Sequence, residues 1–160
     1  MRMSMQYGCC WRRAPSITFR IPFTLLFAAC MLVVGSVDSA RASIAVHIHL
    51  SQQTMNVAID SADFATWPIS TARRGYRTPI GIYKPYQLER MHYSRLYNYT
   101  PMPYSLFFHG GYAIHGTTEI RNLGRAVSHG CIRLSPDNAR SLFELVKIHG
   151  LQNTTIEISE

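Results

Sequence analysis

The first 42 residues limit how much of the 160-residue chain can belong to a folded domain. Residues 1–20 carry four arginines and no acidic residue, and an uncharged, mainly apolar run follows from Ile21 to Val37. Ala40-Arg41-Ala42 then supplies the small residues of an A-x-A cleavage site. The apolar run is shorter than the ~20 residues that a membrane-spanning helix needs. We therefore predict a cleaved signal peptide at 1–42, a folded exported domain at 43–160, and no stable membrane span after cleavage.

Two other interpretations of residues 1–42 stay open. The segment could remain attached as an N-terminal anchor. Alternatively, Phe27–Cys30 (FAAC) loosely resembles a lipoprotein cleavage site, although apolar residues continue past Cys30, where a mature lipoprotein should become polar.

Cleavage would leave one cysteine in the folded domain, because Cys9, Cys10 and Cys30 all lie in the leader. An exported protein with a single cysteine cannot form an internal disulfide, so Cys131 is either buried and inert or free and reactive. It lies in SHGCIRL, Ser128–Leu134, and a packed core seldom has its cysteine in such a polar, glycine-containing stretch. The sequence therefore favours a reactive thiol.

The leader also holds much of the positive charge. Residues 1–42 contain five of the 16 basic and one of the 9 acidic residues, which leaves residues 43–160 with +3 of the net +7. This charge suits an anionic surface or polymer. We expect no nucleic-acid partner, because residues 43–160 have no Lys/Arg run and no binding motif. Ala72–Arg77 (ARRGYR) is predicted to be a solvated loop, with contact to an anionic polymer as the alternative.

Alternating apolar residues predict a β-hairpin formed by Ser43–Leu50 and Thr54–Asp60. His47 and His49 would share one face, either as the polar face of an edge strand or, with further ligands, as a metal site. Farther along, we predict two short strands, a tyrosine-rich extended loop whose rings either cover a cleft or fill the core, and a final strand. These segments are Ile82–Tyr86 and His109–Gly116, residues 91–108, and Thr154–Ser159.

One helix is clearly predicted, with Ser135 as its N-cap, Pro136 as its first residue and Gly150 at its end. Leu142 and Val146 belong to its apolar face. The expected fold is therefore mainly β and antiparallel, with one late helix packed on the sheets.

Cys131 has two histidines that could serve as its base. A thiol becomes a good nucleophile when a base favours the thiolate. His115 can reach the sulfur from a neighbouring strand, whereas His129 lies only two residues before the cysteine, so we favour His115 and keep His129 as the alternative. His109, His115, His129 and Cys131 are also zinc-ligand types, but their spacing matches none of the usual structural zinc patterns.

Two neighbours of Cys131 suggest further roles. Gly130 permits a sharp turn that would direct backbone N–H groups of the loop toward a reacting carbonyl, as in an oxyanion hole. Arg133 is a planar cation suited to a carboxylate, unless it is an ordinary surface arginine. We predict Ser128, His129 and Arg133 as substrate-binding residues.

The stretch from His115 to Leu134, HGT followed by SHGCIRL, resembles the signature of the L,D-transpeptidase (YkuD-like) family of bacterial cell-envelope enzymes. Ser70–Tyr83, STARRGYRTPIGIY, resembles a second segment of that family. The resemblance covers essentially all of residues 43–160 and implies a β-rich, sandwich- or barrel-like fold. It also implies that Cys131 is the nucleophile, that His115 is the base and that the Gly116 carbonyl orients the His115 ring.

Enzymes of this family cleave a peptidoglycan tetrapeptide stem after its diamino acid, release D-alanine and pass the acyl group to an amine. The resemblance therefore implies peptidoglycan stems as partner, a periplasmic or cell-envelope location, and no metal or cofactor. The acceptor stays open between a second stem, a lipoprotein lysine and a D-amino acid. With water as acceptor the protein would be an L,D-carboxypeptidase or a hydrolase of the lipoprotein link, and the remaining alternative is a non-catalytic wall-binding protein. This chain has Arg133 where many members have asparagine, which leaves the choice of acceptor undecided.

Overall fold

The computed structural model describes residues 41–160, so the predicted signal peptide lies almost entirely outside the described residues. Nine strands and one α-helix follow one another, with short 3-10 turns at Ile120–Asn122 and Leu151–Asn153. None of the helices in this part of the chain has the length and apolar character to cross a membrane. The elements are β1 (Ile44–His49), β2 (Thr54–Ile59), β3 (Ala62–Pro68), β4 (Gly81–Tyr83), β5 (Gln87–Ser94), β6 (Thr100–His109), β7 (Tyr112–Gly116), β8 (Ile132–Leu134), α1 (Pro136–His149) and β9 (Thr154–Ser159).

The strands form two sheets. Five strands in the order β3-β2-β1-β9-β4 make one sheet, and four in the order β5-β6-β7-β8 make the other. The prediction of a mainly β protein with one late helix is confirmed. The expectation of antiparallel pairing throughout is wrong, because β1 pairs with β9 and β7 pairs with β8 in parallel. Each parallel pair joins strands separated by a long connection, which parallel pairing requires.

The core lies between the sheets and α1. Alternation along β1 buries Ile44, Val46 and Ile48, and the neighbouring β9 buries Ile156 and Ile158. These side chains belong to one apolar cluster with residues of β6, β7, β8 and α1. Full burial of one such side chain stabilises the fold by about 1.5–3 kcal/mol.

The structure confirms the predicted boundaries of α1. The Ser135 Oγ accepts a hydrogen bond from the Asn138 N–H, Pro136 opens the helix, and the Gly150 N–H donates to the Val146 carbonyl. Since α1 follows β8 directly, its N-cap fixes the chain just after the Cys131 loop.

The predicted hairpin of β1 and β2 is confirmed, but β1 is not an edge strand, because it lies between β2 and β9. His47 Nδ1 lies 3.1 Å from Glu157 Oε2, and His49 Nδ1 lies 3.2 Å from Ser159 Oγ. Both histidines therefore contact side chains of the adjacent strand.

The tyrosine-rich segment 91–108 is not a loop. It belongs to the hairpin of β5 and β6, which we call the β5–β6 hairpin. Pro101 and Pro103 lie in the part of β6 that pairs with β5 alone, since β7 pairs only with residues near the end of β6. One edge of β6 is therefore without a strand partner among residues 41–160 at that point, and proline is tolerated at such an edge.

Two predicted strands have different limits in the structure. β4 ends at Tyr83 rather than Tyr86, and Pro85, which has no N–H to donate to a sheet, follows two residues later. β7 begins at Tyr112, because His109 ends β6 and the two following glycines form the turn.

Candidate active site

Cys131 lies in the bend before β8 and lines a pocket of about 580 Å³. The thiol is free and half-buried. It packs against an apolar floor formed by Met102, Phe107 and Ala113, and its Sγ lies 4.0 Å from the Gly111 carbonyl oxygen. The β5–β6 hairpin forms one wall of this pocket. The sulfur therefore lies in a concave, partly apolar site.

His115 lines the same pocket from β7, the parallel neighbour of β8. Its side chain is buried, and Nδ1 lies 2.8 Å from the Gly116 carbonyl oxygen. Because a carbonyl only accepts hydrogen bonds, Nδ1 must carry the hydrogen, and the neutral ring keeps its lone pair on Nε2. The Gly116 carbonyl thus selects the tautomer in which Nε2 can accept a proton.

Burial keeps both groups neutral at rest. It lowers the pKa of His115 to about 4; the hydrogen bond to Gly116 opposes this shift, and the charges of Arg133 and His92 add to it. Burial also raises the pKa of the Cys131 thiol, against the opposing effects of the Ala113 backbone and Arg133. An uncharged imidazole and an uncharged thiol therefore line the same pocket near neutral pH.

The buried His115 predicts a pH dependence of stability. Its ring binds a proton at about pH 6.5 in the unfolded chain but only near pH 4 in the folded protein. The unfolded state therefore gains protons first as the pH falls, so the free energy of unfolding should decrease by up to about 3 kcal/mol between pH 6.5 and 4. Urea titrations of the protein and of His115→Asn measure this. An identical slope in the variant would contradict the assignment.

The loop before Cys131 is held by the hydroxyl of Ser128, which is fully buried. Its Oγ accepts a hydrogen bond from the Gly130 N–H at 3.0 Å and donates one to the Cys131 carbonyl at 2.7 Å. These two bonds close a tight turn at Gly130, whose φ of 133° lies in the region that favours glycine. Ser128 therefore shapes the turn that presents the thiol.

A second segment, residues 70–78, supports this loop through hydrogen bonds. Ser70 and Arg133 exchange two backbone hydrogen bonds of 3.0 and 2.9 Å, and the Ser128 N–H donates to the Thr71 carbonyl at 2.8 Å. Thr78 Oγ1 donates to the Gly130 carbonyl at 2.9 Å. Ser70, Thr71 and Thr78 lie within the Ser70–Tyr83 segment that resembles the family, but the sequence does not indicate that they support the Cys131 loop.

Gln53 is a further supporting residue that the sequence analysis missed. Its buried amide accepts from the Thr71 N–H at 2.9 Å and donates to Thr71 Oγ1 at 2.6 Å. A glutamine in a hairpin turn gives no sequence indication of such a contact.

His129 lies at the rim of the pocket between two tyrosines. Its ring stacks on Tyr97 of the β5–β6 hairpin with centroids 4.5 Å apart, and meets the edge of Tyr76 at 4.7 Å. His109 instead contacts Tyr83 and Tyr112. Within residues 41–160, no three His, Cys, Asp or Glu side chains are grouped as metal ligands, so the four zinc-ligand candidates do not form one cluster.

Arg133 also lines the pocket, and its neighbour on β7 is His115. Its Nη1 lies 2.7 Å from Glu119 Oε2, an ion pair in which the arginine side chain is 16% exposed and the glutamate 57%. A positive charge therefore lies near His115 and Cys131, partly balanced by Glu119.

The sequence from 43 to 158 matches the YkuD family model, which describes the L,D-transpeptidase catalytic domain. The chain belongs to this family. The match covers both the Ser70–Tyr83 segment and the Cys131 loop, so the family resemblance drawn from those motifs is confirmed.

Individual relatives agree with this assignment. A segment of 45 residues, 28% of the chain, is 44% identical to the probable L,D-transpeptidase YbiS of Escherichia coli K12 and covers 15% of it. The L,D-transpeptidase of Stackebrandtia nassauensis is similar with 27% identity and a TM-score of 0.65, over 79% of this chain and 62% of that one. The LD transpeptidase LdtMt1 in complex with imipenem has 26% identity and a TM-score of 0.65, over 74% and 59%. The chain thus spans less than two thirds of each relative.

Proposed function

We propose that this protein is a peptidoglycan L,D-transpeptidase in which Cys131 forms a thioester with a tetrapeptide stem. The observation that carries the proposal is the meeting of a free thiol and a buried, correctly oriented imidazole in one pocket of a YkuD domain. The same pair favours an enzyme over a non-catalytic wall-binding protein, which would not need it.

Acylation begins when Cys131 Sγ attacks the carbonyl carbon of the diamino acid, while His115 Nε2 takes the thiol proton. The tetrahedral intermediate collapses by breaking the bond to D-alanine. The protonated His115 gives its proton to the D-alanine nitrogen as that bond breaks, which leaves a thioester on Cys131 and a neutral D-alanine amine.

Deacylation reverses these steps. An acceptor amine attacks the thioester carbonyl, His115 takes the proton of that amine, and the sulfur leaves as a thiol when the proton is returned to it. No net proton is gained or lost by the enzyme over the cycle. The Gly116 carbonyl keeps Nδ1 protonated throughout, so that Nε2 acts as base and acid in turn.

Backbone amides of the Cys131 loop are our proposed oxyanion donors. The Gly130 N–H already donates to Ser128 Oγ, so it would have to share its hydrogen with the oxyanion. The Cys131 N–H is therefore the donor that we assign first, with Gly130 as the second. Fixed donors of this kind lower the barrier because they need no reorganisation during the reaction.

We assign Arg133 and His129 to substrate binding, because both line the pocket beside the thiol. Ser128 also lines it, but its hydroxyl is used within the loop, so we give Ser128 a positioning role. We further propose export to the periplasm or cell envelope, where the stems are found, with a second stem, a lipoprotein lysine or a D-amino acid as acceptor. The +3 charge of residues 43–160 favours contact with an anionic wall.

Product analysis tests the proposal. The protein is incubated with a disaccharide-tetrapeptide, with and without an added amine, and the products are identified by mass spectrometry. Release of D-alanine with a cross-linked or exchanged product, absent in Cys131→Ala, is the expected result. Formation of tripeptide alone would make the protein a carboxypeptidase. No product from folded protein with a free thiol would overturn the tetrapeptide-donor proposal and leave hydrolysis of a lipoprotein link or plain wall binding.

A further inference from the structure

The Arg133–Glu119 ion pair uses a single nitrogen of the guanidinium group. Glu119 Oε2 meets a single nitrogen of the guanidinium, Nη1, at 2.7 Å, and also lies 3.3 Å from Asn122 Nδ2. A carboxylate that fully occupied the guanidinium would bind two nitrogens side by side. Glu119 therefore occupies only one of the guanidinium nitrogens.

Two nitrogens of the Arg133 guanidinium group have no hydrogen-bond partner in the described part of the chain. Among the hydrogen bonds of residues 41–160, its side chain makes only the one from Nη1 to Glu119. The side chain that carries Nε and Nη2 lines the pocket. Hydrogen-bond donors with a fixed positive charge are thus available to a ligand.

The two partners differ in how firmly they are held. Arg133 belongs to β8, its backbone pairs with β7 on one side and with Ser70 on the other, and its side chain is mostly enclosed. Glu119 lies just before a 3-10 turn, and its side chain is more than half exposed. Exposed ion pairs contribute about 0–1 kcal/mol. The glutamate is therefore the partner that another carboxylate can displace.

We propose that Arg133 receives a carboxylate of the donor stem and thereby selects acidic over amidated stems, and that Glu119 occupies this position in the free protein and competes with the stem for it. The inference rests on the proposed function for the nature of the ligand. A tetrapeptide stem offers two such groups near the reacting carbonyl, the second carboxyl of the diamino acid and the terminal carboxyl of D-alanine. A stem amidated at the carboxyl that Arg133 binds has no charge there with which to displace Glu119, so that group gains nothing from Arg133.

Binding in a Cys131→Ala background tests this without depending on turnover. Three tetrapeptides are titrated by calorimetry: the free acid, the form amidated at the diamino acid, and the form amidated at the terminal D-alanine. Replacing Glu119 with Gln should tighten binding of the free-acid peptide about threefold to fivefold, because a competing charge worth up to ~1 kcal/mol is removed. The amidated peptide whose binding is not tightened by Glu119→Gln identifies the carboxylate that Arg133 binds.

Two further variants complete the test. Glu144→Gln removes an equal charge from an ion pair with Lys147 on α1, outside the pocket lining, and should leave all three affinities unchanged. Arg133→Asn should abolish the preference for the free acid. Weaker binding of the free acid by Glu119→Gln would mean that Glu119 only positions Arg133, and equal affinities for all three peptides would mean that Arg133 binds no carboxylate; either result overturns the inference. If the wild-type protein releases no D-alanine but still prefers the free-acid peptide, the proposed function alone is refuted.

Discussion

Replacing His115 with Asn should lower kcat for D-alanine release by about 10²–10⁴-fold, the usual contribution of a positioned general base. The Asn side-chain amide can still donate to the Gly116 carbonyl, which His115 Nδ1 approaches at 2.8 Å, so the local fold keeps its hydrogen bond. What disappears is the lone pair on Nε2. Because burial raises the pKa of the Cys131 thiol, the sulfur cannot supply its own thiolate near neutral pH.

The matched control is His92→Asn. His92 also lines the pocket, but its ring meets the edge of Phe107 and its Nδ1 lies 2.7 Å from Glu89 Oε2. We expect this variant to retain at least a tenth of the activity. Activity of His115→Asn that rises with pH toward the wild-type level would support the role of a base, since a thiolate then forms without help. Equal losses in the two variants would contradict it.

Replacing Gly130 with Ala should remove almost all activity and destabilise the fold. The added Cβ would lie 2.6 Å from Tyr112 Cε1 and 3.0 Å from the Arg77 carbonyl oxygen, and φ is +133°. The ring of Tyr112 can move, but the carbonyl belongs to the backbone beside Thr78, which holds the same loop. We expect the free energy of unfolding to fall by about 2–4 kcal/mol and kcat to fall at least ~100-fold as the thiol is displaced.

Gly124→Ala separates the clash from backbone strain. Gly124 also has a positive φ, +84°, but a Cβ there would meet no atom within 4 Å. This variant should lose about 1–2 kcal/mol of stability from strain alone and keep its activity. Chemical denaturation and D-alanine release measure both variants. A Gly130→Ala protein that is no less stable and no less active than Gly124→Ala would show that the tight turn is not required.

Local sequence patterns were sufficient for the elements that local interactions determine. The ends of α1 follow from Ser135, Pro136 and Gly150, which act within one turn of the helix. The β1–β2 hairpin follows from alternation on both sides of a short turn. The parallel pairing of β1 with β9 could not be predicted in this way, because these neighbouring strands are far apart in the sequence, near residues 44 and 159.

The β5–β6 hairpin shows a different limit. Pro101 and Pro103 disfavour regular structure locally, and the sequence analysis therefore predicted a loop. Pairing with β5 outweighs this preference because the prolines lie where one edge of β6 is free of strand partners among residues 41–160. Edge position is a property of the assembled sheet, which a single segment does not encode.

In the candidate site, local motifs again identified some residues, whereas the contacts between distant segments could not be predicted. The motifs identified Cys131 and His115, and the structure places both in one pocket. The contacts that support them come from distant segments: Gln53 through Thr71, and Thr78 through the Gly130 carbonyl. The pairing of Arg133 with Glu119 likewise joins β8 to a separate turn. None of these contacts has a spacing that could be recognised in the sequence.

The central claim is that Cys131 becomes acylated by the donor stem. The most direct measurement is intact-protein mass spectrometry, followed by peptide mapping, on protein quenched with acid during turnover of a disaccharide-tetrapeptide. The account predicts a mass increase equal to the donor minus D-alanine, carried by the Cys131 peptide and absent from Cys131→Ala. Release of D-alanine by the Cys131→Ala protein, or an adduct on any other residue, would contradict it.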